Sequence, residues 1–354
     1  MLLVRAPVRI SFAGGGTDLE DYYLRHGGMV VSAAIDKYFY VFVSPKDGDE
    51  VHIGSSDYRC FYRWSSGDEP VWEGDLRLPR AVLHEFGVTQ GLSIFLASEI
   101  PPGTGLGSSS TVSVALVKSL SALVGQRLTS GEIAEIAYRM ESEKLGRFCG
   151  KQDQYAAAFG GVNAIYFQRE GVRVEPLAMD IAMREKLRER LLLFFLGSSR
   201  AEADIGRMQQ QATREGKVEV IESLHLLKNM AQETKDALER GELYRLGQIL
   251  RESWEHKKRL ASDITNPHID EAYERAINKG AVGGKVAGAG GGGFLLLYCE
   301  PDCRGQVCAE MESLGLYRMD FHFDMGGAKV LMNSGRRSNY PDASFARIGV
   351  GAHV

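Results

Sequence analysis

A loop rich in glycine and hydroxyl side chains is the strongest indication of chemistry in this sequence. Residues 101–111 read PPGTGLGSSST. Glycine permits positive φ angles and places no Cβ between the main chain and a ligand. The apolar spacing over 112–123 predicts a helix, and the N–H groups and dipole at its start favour an anion, most often phosphate. The alternative is a plain turn with a Ser or Thr helix cap, for which one glycine would suffice.

Two further glycine tracts could also approach a ligand closely. Residues 14–16 are three glycines before Thr17-Asp18, and residues 288–293 read GAGGGG between two β-type runs. The second tract matches G-x-G-x-x-G, but a strand rather than a helix is predicted after it, which excludes a dinucleotide-binding fold. No Gly-Lys pair precedes Ser or Thr, which excludes a Walker loop. A tight hairpin needs fewer small residues, so we favour contact with a ligand.

Two groups of titratable side chains are candidates for further chemistry. Asp153 lies in the polar run 150–155, ahead of the apolar residues 156–159, and composition leaves both a helix N-cap and a catalytic carboxylate open. Asp320, His322 and Asp324 alternate along a predicted strand, a spacing that could mimic a metal site. They have no fourth ligand nearby in sequence, and we interpret them as a solvated face of a sheet.

The overall composition excludes several classes of protein. The chain has 354 residues, 44% of them hydrophobic, which is enough for two domains of ordinary size. A net charge of −4 without a basic block excludes a nucleic-acid footprint. Five cysteines without a C-x-x-C pair indicate reduced thiols. No apolar run approaches the roughly 18 residues of a membrane span, and the first residues lack a signal-peptide core. We therefore expect a soluble cytoplasmic protein.

The pattern of apolar residues predicts which elements position these groups. Helices are predicted at 110–124, at 129–146 with a Thr129/Glu132 capping box, at several amphipathic stretches of 201–280, and near 303–314. Strands are predicted at 8–12, 29–33, 38–43, 61–64, 92–98, 162–167, 172–176, 191–196, 285–287, 294–298 and 329–332. Strict βαβ alternation is absent, which indicates an α+β fold in two domains with a boundary near residue 185.

The order of four motifs resembles the GHMP small-molecule kinases. The motifs lie at residues 6–18, 101–111, 150–155 with Gly160-Gly161, and 285–293, and their ordered occurrence is highly specific. The resemblance implies an N-terminal domain over 1–185, similar to domain 2 of ribosomal protein S5. It also implies a ferredoxin-like C-terminal domain over 186–335, followed by a tail at 336–354. ATP and an acceptor would then meet between the two domains, in a Mg²⁺-dependent reaction.

The resemblance also implies roles for individual residues. Asp153 is expected to accept or orient the acceptor hydroxyl proton, and Arg9 to stabilise transferred charge, although a surface ion pair stays open for Arg9. The ATP phosphates are expected at Pro102, Gly103, Thr104, Gly105, Leu106, Gly107, Ser108, Ser109 and Ser110. The acceptor is expected at Gly15, Gly16, Thr17, Asp18, Lys285, Gly290 and Gly291. Mg²⁺ is expected at Ser109, Ser110 and Glu143, with Glu141 as the alternative acid.

Within this family, GGGTD at 14–18 and QDQYAAAFGG at 152–161 are most similar to the bacterial kinases that phosphorylate heptose 7-phosphate at C1. The small-molecule partners implied are a sugar phosphate and ATP, with no nucleic acid or membrane; whether the chain forms a homo-oligomer stays open. The alternatives are a kinase of the fucose, mannose or galactose type, or a non-catalytic sugar sensor on the same fold. Candidate cations for the 7-phosphate are Arg200, Lys257, Lys258 and Arg259.

Overall fold

The computed structural model describes residues 1–56, 59–65, 76–198 and 202–334. Its strands are β1 (Leu2–Ala13), β2 (Gly28–Pro45), β3 (Glu50–Ser55), β4 (Cys60–Ser65), β5 (Leu92–Ser98), β6 (Val162–Gln168), β7 (Gly171–Pro176), β8 (Leu191–Phe195), β9 (Ala281–Val286), β10 (Phe294–Cys299), β11 (Tyr317–Arg318) and β12 (Lys329–Asn333). Its α-helices are α1 (Glu20–His26), α2 (Arg77–Glu85), α3 (Ser108–Leu123), α4 (Ser130–Arg139), α5 (Gln152–Phe159), α6 (Ile181–Arg190), α7 (Glu202–Arg214), α8 (Val218–Arg240), α9 (Leu243–Lys257), α10 (Pro267–Asn278) and α11 (Pro301–Ser313). A π-helical turn (Met140–Lys144) follows α4, and a 3₁₀ turn (Ser262–Ile264) precedes α10.

The strands form two sheets. The first has the order β12-β1-β2-β5-β3-β4, with β6 paired to β2 and β7 paired to β6. Helices α3 and α5 pack against β1 and β2, α4 packs against α3 and α5, and together these elements enclose an apolar core. The second sheet has the order β11-β8-β10-β9, with all its pairs antiparallel. The predicted α+β class is therefore confirmed.

Alternation along the second sheet divides its side chains between two cores. Leu193 and Leu296 point to one side, where they share a core with Val8 and Ile10 of β1. Leu295 and its alternating neighbours point to the other side, toward α8, α10 and α11. Each fully buried aliphatic side chain contributes about 1.5–3 kcal/mol to stability. The two sheets are thus joined by a continuous apolar core.

The glycine loop at 102–107 lies along the outer edge of β1. Residues Leu2 to Arg5 pair with β12, and the edge beyond them is occupied by the loop that leads into α3. There the Arg9 N–H donates to the Leu106 carbonyl oxygen at 3.0 Å, and Thr111 Oγ1 donates to the Pro7 carbonyl oxygen at 3.4 Å. Main-chain pairing therefore holds this loop in register with Arg9.

Most predicted elements occur where the periodicity placed them. The Thr129/Glu132 capping box is present at the start of α4. The expected boundary at residue 185 falls within α6, and β12 returns to the first sheet, so the division into domains stays a prediction. The expected tail at 336–354 lies outside the described residues. In the part of the chain that is described, no helix is long and apolar enough to cross a membrane.

The interpretation of Asp320, His322 and Asp324 as a solvated sheet face is wrong for Asp324. That carboxylate is buried, and it accepts hydrogen bonds from the Tyr38 hydroxyl at 2.9 Å and from two main-chain N–H groups. His322 is exposed and pairs with Asp36. Asp324 therefore anchors the segment after β11 onto the first sheet. The metal-binding alternative gains no support, because the described residues contain no group of three or more His, Cys, Asp or Glu side chains that could hold a metal ion.

Candidate active site

A cavity of about 580 Å³ collects residues from all three glycine tracts and from the start of α5. This volume is in the range of pockets that bind small molecules. Arg9, Asp18, Asp153 and Lys285 line it, although the chain separates the first and last of them by more than two hundred residues. These four side chains, which were predicted from the sequence, are thus brought into one cavity.

The loop at 102–107 presents alternate residues to this cavity. Gly103, Gly105 and Gly107 have φ angles of 71°, 74° and 79°, a left-handed region that favours glycine, and all three line the cavity. Gly107 is the N-cap of α3 and supplies no side-chain cap. The first N–H groups of α3 therefore have no partner within the helix and face the cavity together with its positive dipole end. This arrangement favours phosphate oxygens.

Two residues of the predicted phosphate loop serve another purpose. Thr104 and Leu106 are fully buried and do not line the cavity. Their carbonyl oxygens accept hydrogen bonds from Phe294 N–H at 3.2 Å and from Arg9 N–H at 3.0 Å. The prediction that Thr104 and Leu106 contact phosphate is therefore corrected: these residues anchor the loop to β10 and β1. Pro102, Ser108, Ser109 and Ser110 do line the cavity as predicted.

The third glycine tract packs directly behind this loop. A Cβ at Gly105 would collide with the carbonyl oxygen of Ala287, and one at Gly293 would collide with that of Thr104. Gly288 and Ala289 line the cavity. The predicted acceptor contacts Gly290 and Gly291 do not: a Cβ at Gly290 would meet Ile264, and the Gly291 N–H donates to the Ile264 carbonyl oxygen at 2.8 Å. Their predicted role is corrected, because the turn directs them toward the 3₁₀ segment.

Asp153 and Arg9 form an ion pair beside Gly107. Arg9 Nη2 lies 2.6 Å from Asp153 Oδ1, and Arg9 Nε donates to the same oxygen at 2.8 Å. Arg9 Nη1 donates to the Gly105 carbonyl oxygen at 2.6 Å, so one guanidinium holds both the loop and the acid. The Asp153 side chain is 22% exposed, whereas that of Arg9 is 5% exposed. Asp153 Oδ2 lies 3.0 Å from the position a Cβ would take on Gly107. The surface-pair alternative for Arg9 is excluded by this burial.

Asp18 occupies the neighbouring part of the cavity. Its carboxylate accepts hydrogen bonds from Gly16 N–H and from the main chain and side chain of Gln152, each at 3.1 Å. Burial raises the pKa of Asp18, the nearby charge of Asp153 raises it further, and these N–H donors oppose the shift. Gly15 and Gly16 line the same region. Predicted contact of Thr17 with the acceptor is wrong, because its buried hydroxyl bonds to main-chain oxygens at residues 14 and 29.

A second carboxylate lies at the start of α3, but it is not the one expected. Glu141 is buried, lines the cavity, and accepts a hydrogen bond from Ser109 Oγ at 3.3 Å. Gln154 Nε2 donates to it at 2.9 Å and to Ser110 Oγ at 3.0 Å. Burial raises the pKa of Glu141. Glu143 is exposed and does not line the cavity. Of the two acids considered as a Mg²⁺ ligand, only the alternative, Glu141, faces the cavity.

Lys285 projects from β9 into the cavity. It is buried, and its Nζ donates to the Phe12 carbonyl oxygen at 3.3 Å. Burial, together with the charge of Arg9, lowers the pKa of Lys285 to about 7. Lys257, one of the candidate phosphate-binding cations, donates to the carbonyl oxygens of Val286 and Gly288 at 2.8 and 2.6 Å and thereby holds the third glycine tract. Lys258 pairs with Glu255, Arg259 is exposed, and Arg200 lies outside the described residues.

Three polar residues that line this cavity were not predicted from the sequence. Ser11 alternates with Arg9 along β1, Gln152 precedes Asp153, and Gln209 lies in the run QQQ of a charged helix. Each has a buried side-chain atom without a hydrogen-bond partner in the described part of the chain: Ser11 Oγ, Gln152 Oε1 and Gln209 Nε2. Alternation with Arg9 could have indicated Ser11. A glutamine on an amphipathic helix is normally solvated, so Gln209 could not have been found.

The fold and this cavity, whose lining favours phosphate oxygens, are those of a phosphotransferase that acts on small molecules. Residues 76–161 match the model of the GHMP kinase N-terminal domain, and residues 234–315 match that of the C-terminal domain. A D-glycero-alpha-D-manno-heptose 7-phosphate kinase from Campylobacter jejuni is 31% identical over 331 residues, which cover 92% of this chain and 97% of the relative. The chain belongs to the GHMP kinase family.

Solved structures agree with this assignment. One described as a D-glycero-D-manno-heptose 1-phosphate kinase from Bacteroides thetaiotaomicron has 30% identity and a TM-score of 0.78, covering 95% of this chain and all of that one. A structure described as a sugar kinase from Campylobacter jejuni has 30% identity and a TM-score of 0.76, covering 93% and 97%. The galactokinase of Lactococcus lactis, at 20% identity and a TM-score of 0.72, shares the fold.

Proposed function

We propose that the protein transfers the γ-phosphoryl group of ATP to the C1 hydroxyl of D-glycero-D-manno-heptose 7-phosphate. The product would enter the synthesis of nucleotide-activated heptose for surface polysaccharide. The observation that carries the catalytic part is the ion pair of Asp153 with Arg9, directly beside Gly107 at the start of α3. The substrate assignment is supported by the heptose phosphate kinases to which the chain is about 30% identical over most of its length.

This geometry supports the following reaction. The main-chain N–H groups of the glycine loop and the first turn of α3 hold the phosphates of ATP, while Asp18 orients acceptor hydroxyls by accepting their hydrogen bonds. Asp153 accepts the C1 hydroxyl proton as that oxygen bonds to the γ-phosphorus, and the bond to the bridging oxygen of ADP breaks. Arg9 keeps the Asp153 carboxylate in place and stabilises the charge of the transferring phosphoryl group.

A Mg²⁺ ion fits the residues near Ser109. Glu141 is a buried carboxylate whose partners are neutral donors, with the Arg147 guanidinium near it; Arg147 itself donates to Ser109 Oγ at 3.0 Å. Carboxylate and hydroxyl oxygens together with substrate phosphates are the usual ligands of Mg²⁺. Ser109, Ser110 and Glu141 would hold the ion. When bound, Mg²⁺ neutralises charge on the β- and γ-phosphate oxygens.

Glu141→Gln is expected to weaken Mg²⁺ activation by about tenfold or more, because the amide no longer supplies a negative ligand. The concentration of Mg²⁺ that gives half-maximal rate, at saturating ATP and acceptor, measures this effect. Glu143→Gln removes the same charge from an exposed position two residues away and is expected to leave that concentration unchanged. A larger effect of the Glu143 variant would contradict the assignment.

Binding of nucleotide above neutral pH is expected to take up a proton at Lys285. With its pKa lowered to about 7, the free protein holds this amine mostly neutral at pH 8. A triphosphate nearby favours the ammonium form and raises that pKa, so binding at pH 8 adds about one proton and binding at pH 6 adds almost none. Calorimetric titration with a non-hydrolysable ATP analogue, in buffers of different ionisation enthalpy, measures the uptake. Equal uptake by wild type and Lys285→Met would contradict this prediction.

A coupled assay for ADP release across sugars and sugar phosphates tests the proposed function. The highest kcat/KM is expected for D-glycero-D-manno-heptose 7-phosphate, with phosphate added at C1 as located by NMR. A preference for fucose, mannose, galactose or a non-sugar alcohol would overturn the substrate assignment. Binding of sugar and nucleotide without any turnover would instead favour the sensor alternative.

We further propose that this reaction takes place in the cytoplasm. Cys149, Cys299, Cys303 and Cys308 are free thiols, which is typical of proteins in a reducing compartment. ATP is the co-substrate of the family. Thiol titration of the purified, denatured protein without reductant is expected to find these cysteines unoxidised.

A further inference from the structure

Helix α7 closes one side of the cavity, next to the Asp18 region. A Cβ at Gly16 would collide with Gln209 Nε2, and a Cβ at Gly206 would come within 2.5 Å of a carbon atom in the Phe148 ring. Gly206, Arg207 and Gln209 all line the cavity. Three parts of the chain therefore meet beside Asp18: the first glycine tract, the segment that precedes α5, and helix α7.

Gln209 presents a donor there that nothing else in the described chain uses. The residue is 9% exposed, and its Nε2 has no hydrogen-bond partner among the described residues. A buried amide donor without a partner costs free energy, and such a cost is retained where a ligand compensates for it. The atom points toward Gly16, two residues before Asp18. Gln209 is therefore placed to donate to an acceptor molecule held by Asp18.

The groups of this region divide by hydrogen-bonding type. Asp18 and Gln152 Oε1 only accept, and so fit sugar hydroxyls, which donate. Gln209 Nε2 and the Arg207 guanidinium only donate, and so fit a group that only accepts. Arg207 is held at present by an exposed ion pair with Asp204 at 3.3 Å, an interaction of little net strength that a stronger anion can replace. A phosphate dianion is the accepting group that both donors match.

We propose that Gln209 and Arg207 of α7 bind the phosphate that the acceptor sugar already carries. This inference rests on the proposed function. Helix α7 would then distinguish a phosphorylated sugar from a free one, while Asp18 orients the hydroxyls of the sugar and Asp153 activates the C1 hydroxyl. The cationic candidates near Lys257 are not required, since that ammonium group holds the third glycine tract.

Steady-state kinetics with heptose 7-phosphate and with the unphosphorylated heptose test this proposal. Gln209→Glu keeps the length of the side chain and places a negative charge beside the phosphate. It is expected to raise KM for heptose 7-phosphate about 30-fold or more, to leave KM for ATP within about twofold, and to change kcat/KM for the free heptose less than about threefold. Arg207→Gln is expected to act in the same direction.

Gln211→Glu is the matched control, because Gln211 is exposed on the same helix and the new charge lies outside the cavity. If Gln209→Glu melts at a lower temperature, Gln209→Met at the same position is expected to raise KM for heptose 7-phosphate about tenfold. An unchanged KM, or an equal loss with both acceptors, overturns the role of α7. A wild-type enzyme without preference for the phosphorylated heptose instead overturns the proposed function itself, and the two failures are distinguishable in one data set.

Discussion

Asp153→Asn is expected to lower kcat by about a thousandfold or more, while the Kd of a non-hydrolysable ATP analogue changes less than about twofold. The amide cannot accept the proton of the acceptor hydroxyl. Its carbonyl oxygen can still accept the hydrogen bond from Arg9, whose side chain is 5% exposed and would otherwise be left without its counter-charge. Asp153→Asn therefore removes the proton acceptor but keeps the hydrogen bond that positions Arg9.

Single-turnover measurements with heptose 7-phosphate and ATP provide the test for Asp153, and the melting temperature reports on the fold. Arg9→Lys is a useful companion variant, because it keeps one positive charge but loses the geometry that joins Asp153 to the Gly105 carbonyl oxygen. We expect it to lower kcat less than Asp153→Asn does. Retention of a tenth of the wild-type kcat by Asp153→Asn would mean that another group accepts the proton.

Gly107→Ala is expected to lower kcat about a hundredfold with the fold retained. Its φ of 79° costs an alanine about 1–2 kcal/mol. The added Cβ would also lie 3.0 Å from Asp153 Oδ2, closer than such carbons normally approach, so the Asp153 carboxylate must move. Small displacements of a reacting group of this kind cost about a hundredfold in rate.

Gly125→Ala is the matched control for this substitution. Gly125 has a φ of 78°, nearly that of Gly107, and no atom lies within 4 Å of its added Cβ. Both variants should therefore show a similar backbone cost in a denaturant titration, to which Gly107→Ala adds the cost of crowding Asp153, and only Gly107→Ala should lose activity. Equal activity of the two variants would show that the packing of Gly107 on Asp153 is not needed for catalysis.

The glycine loop that lines this cavity could be predicted from sequence for a physical reason. A loop that approaches phosphates needs positive φ at alternate positions, and only glycine adopts them at little cost. The spacing of the glycines at 103–107 therefore predicts the backbone conformation of this loop. Periodicity likewise predicted the strand that carries Arg9 and the helix that begins at Ser108, because each buries an apolar face.

Other parts of the site depend on contacts that a linear pattern does not contain. Glu141 and Glu143 both lie in the π-helical turn at Met140–Lys144 that follows α4, and in this turn Glu141 is buried and Glu143 is exposed. No pattern in the local sequence predicts that turn. Thr17, Gly290 and Gly291 belong to true motifs, yet tertiary packing directs them away from the cavity. Gln209 is brought to Gly16 only by the docking of α7.

Synthesis on the ribosome leaves the outer edge of β1 incomplete until residues 329–333 have emerged, because β12 is its partner there. Domains generally fold from the N-terminal side as the chain is made, and an open strand edge is a template for aggregation. A nascent chain arrested before Lys329 would expose main-chain donors and acceptors at the start of β1, close to the strand segment that carries Arg9. Translation of β12 therefore protects the newly made protein from pairing with neighbouring chains.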